Sequence, residues 1–241
     1  MNKNSTDIIR QLDEQAAKKE ADFLDHIASR LQRSRVTKAP DHPFRGAPAF
    51  WNSYELDGEK RVELFMANWK NLGGAVERFP TKDALRLYIA EFARTMQAKY
   101  MVRFEHPLLE EIGLEPHLPG VEITVWNKDT DENLMAKAAG ADIGIAVVDY
   151  GIAHTGTVVA VSGEKQGRSV SLLPTVFIAI VRSHDIKTRM GEVMTDLEKR
   201  FGHKLPAGIH FITGPSRSSD IENDLTIGVH GPGIVHALIL D

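Results

Sequence analysis

The sequence contains no cysteine. That removes disulfides, thiolate nucleophiles and thiolate metal centres, so no iron–sulfur cluster is expected in this chain. One-electron chemistry linked to the protein must therefore run through another chain or a bound organic cofactor, whose identity the residues leave unknown. Long apolar runs are also missing. The longest, Val176 to Val181, falls far short of the ~20 residues that span a bilayer. The opening residues, MNKNSTDIIRQLDEQ, lack an apolar h-region and a small-residue cleavage site, which predicts a cytoplasmic protein without a signal peptide. An excess of positive charge is lacking too: the net charge is −4 and the pI about 6.2, so no basic face for nucleic acid is expected.

What is present reads as an ordinary globular chain. Its 241 residues, 42% hydrophobic and 26% charged, suffice to bury a large core. Residues 5–33 read as one helix, capped by Ser5 or Thr6, with Ile8, Leu12, Leu24, Ile27 and Leu31 at helical spacing. Its charged middle, DEQAAKKEAD, reads as a solvated face. Pro40–Tyr54 is rich in proline, glycine and aromatics and reads as an extended loop. The predicted organisation is an N-terminal helix and loop over 1–54 and an α/β domain over 55–241.

That domain alternates helices and strands. Helices are predicted at Glu59–Leu72, after a Thr81 cap (Leu85, Tyr88, Phe92, Met96), at Asn133–Ala139, and through Met190–Phe201. Strands are predicted at Ala75–Phe79, Tyr100–Phe104, Val121–Trp126, Ile143–Val148, Thr157–Val161, Ile209–Ile212, Leu225–Val229 and Val235–Ile239. The apolar run Val176–Val181 predicts a central strand buried on both faces. The alternation implies a mostly parallel sheet covered on both sides, with some antiparallel pairing near the end.

Four segments and the scattered histidines bear on chemistry. GEKQGRS at Gly163–Ser169 has only three residues between its glycines, arginine in place of lysine, and VSLLP, read as strand, after it. It fits a hairpin turn between Val161 and Val170 rather than a phosphate loop. The ten histidines form no metal-ligand spacing, so no metal site is expected. DYGIAHTGT offers Thr155, Gly156 and Thr157, either as a turn with an unusual glycine φ or as a ligand-facing loop with His154 at its mouth. GPSRSSDIE at Gly214–Glu222 places Ser216, Arg217 and Ser218 just after a strand. Ser218 or Ser219 is expected to cap a short helix near Asp220, which would make an anion site. In GVHGPG, His230 between glycines reads either as a general base or as a turn-stabilising donor.

ADIGI at Ala141–Ile145, TGT at Thr155–Thr157, LLP at Leu172–Pro174, GPSRSSDIE and GVHGP together resemble the LUD-domain family. The match covers about the last hundred residues. The N-terminal helix and HPFRGAP at His42–Pro48 look similar to its lactate-utilization branch. The resemblance implies a three-layer α/β/α fold with a mostly parallel sheet, similar to the sugar-phosphate isomerase and CoA-transferase group, with an N-terminal helical extension. It also implies a part in oxidising L-lactate to pyruvate beside two iron–sulfur protein subunits. His154 departs from the acidic residue that relatives often carry before TGT.

Oxidising a small 2-hydroxy acid needs a carboxylate clamp, a base and an electron acceptor. Arg217 with Ser216 and Ser218 is the expected clamp for that acid or another anionic ligand, and His230 is the expected base. Asp220, Glu222, Thr155, Gly156 and Thr157 complete the expected ligand-binding set. No dinucleotide fingerprint follows any strand, so no acceptor is legible. Two other readings stay open: an assembly module without chemistry, and a transferase or isomerase for acyl-CoA or sugar phosphates with Glu222 as acyl acceptor.

Overall fold

The computed structural model describes residues 3–38, 54–127, 133–221 and 224–241. The chain divides into two units, 1–51 and 52–241. In the first, helix α1 (Lys3–Arg30) runs for 28 residues. It starts ahead of Ser5 and Thr6, which therefore lie inside the helix and do not cap it. Its end is closed by Gln32 in the left-handed region (φ 49°), with Arg33 N–H donating to Ala28 O at 3.1 Å, a helix-stop geometry that satisfies a free carbonyl. The HPFRGAP segment lies outside the described residues.

The second unit is built on a six-stranded, wholly parallel sheet in the order β1 (Ala75–Phe79), β12 (Ile234–Leu240), β7 (Val176–Arg182), β4 (Ile143–Val147), β2 (Tyr100–Phe104), β3 (Glu122–Trp126). In β4 and β7 every residue but Arg182 is buried. That pattern requires cover on both faces, as the apolar runs predict. Helices supply it: α2 (Gly58–Asn71), α3 (Lys82–Thr95), α4 (Pro107–Ile112), α5 (Leu134–Ala139) and α6 (Ser169–Leu172), while α7 (Met190–Phe201) packs on a smaller sheet. Asp57 and Thr81 cap α2 and α3 by accepting N–H bonds from Lys60 and Ala84.

A second sheet has four strands in the order β8 (Ile186–Lys187), β5 (Tyr150–Ile152), β6 (Thr157–Val161), β9 (Ile209–Ile212). Its β5–β6 and β6–β9 pairs are antiparallel. Ile152, Val159, Val161, Val193 and Leu197 form a separate small core with α7. Both β4 and β7 leave the large sheet for the small one, β4 leading into β5 after two residues and β7 into β8 through a 3-10 turn at Ser183–Asp185.

Three local expectations are overturned. Ser169–Leu172 is a helical turn, not a strand: its backbone presses on β4 so closely that a Cβ at Gly144 would lie 2.0 Å from Val170 O. Consequently β6 does not form a hairpin with Val170; it pairs with β9, and only a Gly163–Gln166 bridge closes the intervening turn. Third, GPSRSSDIE starts no helix. Arg217–Ile221 is strand β10, paired antiparallel with β11 (Asp224–Ile227). No helix among the described residues is long and apolar enough to cross a membrane.

Candidate functional site

The end of α2 organises the first site. Asn68 Nδ2 donates to Ala153 O at 2.8 Å and to His154 O at 3.0 Å, tying the β5–β6 turn to the helix. Gly156 sits in that turn at φ 58°, against the Asn68–Trp69 backbone. The glycine supplies the conformation as the turn reading expects. Thr155 Oγ1 lies 2.7 Å from Thr157 Oγ1, which lies 2.8 Å from Thr213 Oγ1, a chain of three hydroxyls reaching the start of the GPSR segment. The His154 ring lies edge-on to Tyr54 at 5.9 Å.

GPSR and GVHGPG are hydrogen-bonded to each other. Ser216 N–H donates to Pro232 O and Gly228 N–H to Ser216 O, both at 3.0 Å. Gly231 packs on Ser216, where a Cβ would lie 3.2 Å from the serine Cβ. Beyond this junction, Leu172–Thr175 and Ile227–Gly231 line an open cleft of about 620 Å³ that includes His230. The His230 ring is exposed and makes no hydrogen bond among the described residues.

Arg217 lies apart from the cleft lining. Its Nη2 donates to Leu72 O, at the end of α2. Ser218 stands opposite Thr226 in the β10–β11 pair. Asp220 lies on β10, and Glu222 lies outside the described residues. The structure thus joins Thr155, Gly156, Thr157, Ser216 and Arg217 around the α2–β1 corner, with His230 in the cleft beyond Ser216.

This assembly lies at the amino edge of the large sheet. Pro174 and Thr175 precede β7, Gly233 precedes β12, and Gly73–Gly74 precede β1. Ligands of open α/β sheets ordinarily sit at the carboxyl ends of strands, the position expected here for the GPSR segment. GPSR instead follows β9 of the small sheet, whose connection carries it to the opposite edge.

A second cleft, missed by sequence reasoning, does lie at the carboxyl ends. It holds about 190 Å³ between β2, β4 and β7 and is lined by His106, Asp149, Gln166, Arg182 and Asp185 among others. His106 caps α4: its Nδ1 accepts Leu108 N–H at 3.1 Å, so the neutral ring carries its proton on Nε2. Burial, and secondly the Arg182 charge, hold His106 below the usual histidine range. Asp149 accepts from Arg200 at 2.6 Å and from Val161 N–H at 2.9 Å. Arg182 is exposed and pairs with no acid within bonding distance among the described residues. The available signal was a charged residue set directly after a buried apolar run: Asp149 after IGIAVV and Arg182 after VFIAIV.

Among the described residues no cluster of three or more histidine, aspartate or glutamate side chains is placed to hold a metal. Fold and clefts define an α/β protein with a parallel central sheet flanked by helices and ligand-sized openings at both sheet edges. The chain belongs to the LUD-domain family, whose model matches residues 62–240. It is 36% identical over 215 residues to lactate utilization protein C of Halalkalibacterium halodurans, covering 87% of this chain and 92% of that protein. It is 40% identical over 225 residues to the protein of the same name from Bacillus licheniformis, covering 87% and 91%. A crystal structure of a DUF162 family protein from Deinococcus radiodurans superposes with a TM-score of 0.57 at 18% identity, covering 77% of this chain and 99% of that one. That likeness bears on the fold.

Proposed function

We propose that this chain serves L-lactate utilization as one subunit of a lactate-oxidising system, with two iron–sulfur proteins carrying the electrons. The observation that carries the reading is the bonded union of GPSR and GVHGPG beside the amino-edge cleft. It ties Ser216 to the segment that carries the exposed imidazole of His230, with the Arg217 guanidinium at the neighbouring α2–β1 corner, in a chain whose relatives are named for lactate utilization. The absence of cysteine supports placing the clusters in partner subunits.

In this reading Arg217, steadied at Leu72 O, uses its remaining donors to hold an anionic ligand beside Ser216. Asp220 and Glu222 flank that region along the chain. His230 accepts a proton at the cleft. The acceptor of the electrons lies elsewhere.

The test is a deletion strain complemented with wild-type or Arg217→Ala protein. Arg217 is exposed, so the variant is expected to fold and to co-purify with its partners. Its lactate-dependent dye reduction should fall roughly 10- to 100-fold, the loss of one charge-assisted contact. Growth on lactate unaffected by the deletion would overturn the pathway assignment. A second reading, an assembly module without chemistry, is favoured by the exposed Leu173, Leu225, Ile227 and Val229 beside the cleft. Full activity of Arg217→Ala in an intact complex would favour it.

A further inference from the structure

We propose that the carboxyl-edge cleft is a separate binding site for a small monocarboxylate bearing a hydrogen-bond donor, such as a hydroxyl, beside its carboxylate. The cleft lies where β4 and β7 cross from the large sheet into the small one. Crossing strands part there, opening a polar crevice over the carboxyl ends of parallel strands. It does not depend on the amino-edge cluster, which occupies the other edge of the same sheet.

The lining chemistry selects the ligand. Arg182 is a cation without an acidic partner in bonding range among the described residues, set at the last position of a buried strand. A guanidinium there matches a carboxylate bidentately. His106 is locked by its cap bond with Nε2–H as its free donor, and the Gln166 amide adds a further donor. Asp149 already accepts from Arg200 and from Val161 N–H, so its charge in the cleft is offset by the Arg200 guanidinium. Asp185 supplies a carboxylate acceptor for the ligand's hydroxyl, and its charge works against a dianion. At about 190 Å³ the cleft lies below the roughly 300–1,000 Å³ of drug-sized sites, which restricts it to a ligand of few heavy atoms.

The experiment is NMR titration of the full chain with L-lactate, acetate and inorganic phosphate, using wild type, Arg182→Gln and His106→Asn. Asparagine retains a capping acceptor for Leu108 N–H while removing Nε2–H. Arg182 is exposed, so its substitution spares the core. L-Lactate should shift the resonances of Gln166, Arg182 and Asp185, bind more tightly than acetate or phosphate, and weaken roughly 10- to 100-fold in Arg182→Gln. His106→Asn should weaken it in the same direction. Shifts confined to 172–175 and 227–233, lactate affinity untouched by Arg182→Gln, tighter binding of phosphate, or no binding at all would each overturn the assignment. Because titration needs neither partner subunits nor growth, its failure is distinguishable from failure of the lactate-oxidation reading.

Discussion

An alanine at Gly156 would have to adopt φ 58° and bring its Cβ within 2.8 Å of Trp69 N and 2.9 Å of Asn68 C. Backbone on both sides leaves neither neighbour free to yield. Gly156→Ala is therefore expected to cost about 2–4 kcal/mol, measured as a lower urea midpoint. Thr157 is 1% exposed and shares its hydroxyl with Thr155 and Thr213, so Thr157→Val leaves two hydroxyls short of a partner. A loss of about 1–2 kcal/mol is expected in the same measurement. At this scale the TGT motif was half legible. The glycine's special φ follows from its place in a short turn, but its reason, the close approach of α2, involves residues nearly ninety positions away. Arg217 was legible as a cation in a polar segment. Its bond to Leu72 O was not, because nothing local links it to the end of α2.

Elements with their own periodicity were readable. β7, α3 and α7 fall where the apolar spacing sets them, because burial of one face or of both leaves its period in the sequence. The failures are short elements defined by a neighbour. RSSDI has neither apolar alternation nor β-branched content beyond one isoleucine, and it becomes β10 only by pairing with β11. Ser169–Leu172 has one β-branched residue, Val170, and its tight seat above Gly144 makes it a helical turn. The same dependence yields a test. Asn68→Ala removes both bonds from α2 to the β5–β6 turn and should cost about 1–2 kcal/mol. Amide exchange should accelerate selectively over residues 150–157 if the turn depends on that tether, and uniform acceleration would contradict it.

At the scale of the molecule, three histidines among the described residues are held below their ordinary range. Burial is the leading cause for His106, His210 and His236, and His236 lies deepest, against Phe92 with its Nδ1 3.1 Å from Tyr88 Oη. The unfolded chain takes up these protons near pH ~6.5, the folded chain only lower. Stability should thus be level above about pH 6.5 and decline as pH falls below it; His236→Leu should flatten part of that slope in urea titrations at several pH values. The carboxyl-edge cleft was illegible at this scale because its polar residues come from separate segments that only the two-sheet crossover assembles. The strand order carries a consequence for synthesis. Among the described residues β1 has only β12 beside it, about 160 residues later in the chain. At ~5–20 residues per second a ribosome needs roughly 8–30 s to cover that interval. Through that wait Val76 and its neighbours have no ladder to join, so the nascent chain presents an unpaired strand, and chaperone demand should peak just before residues 234–240 emerge.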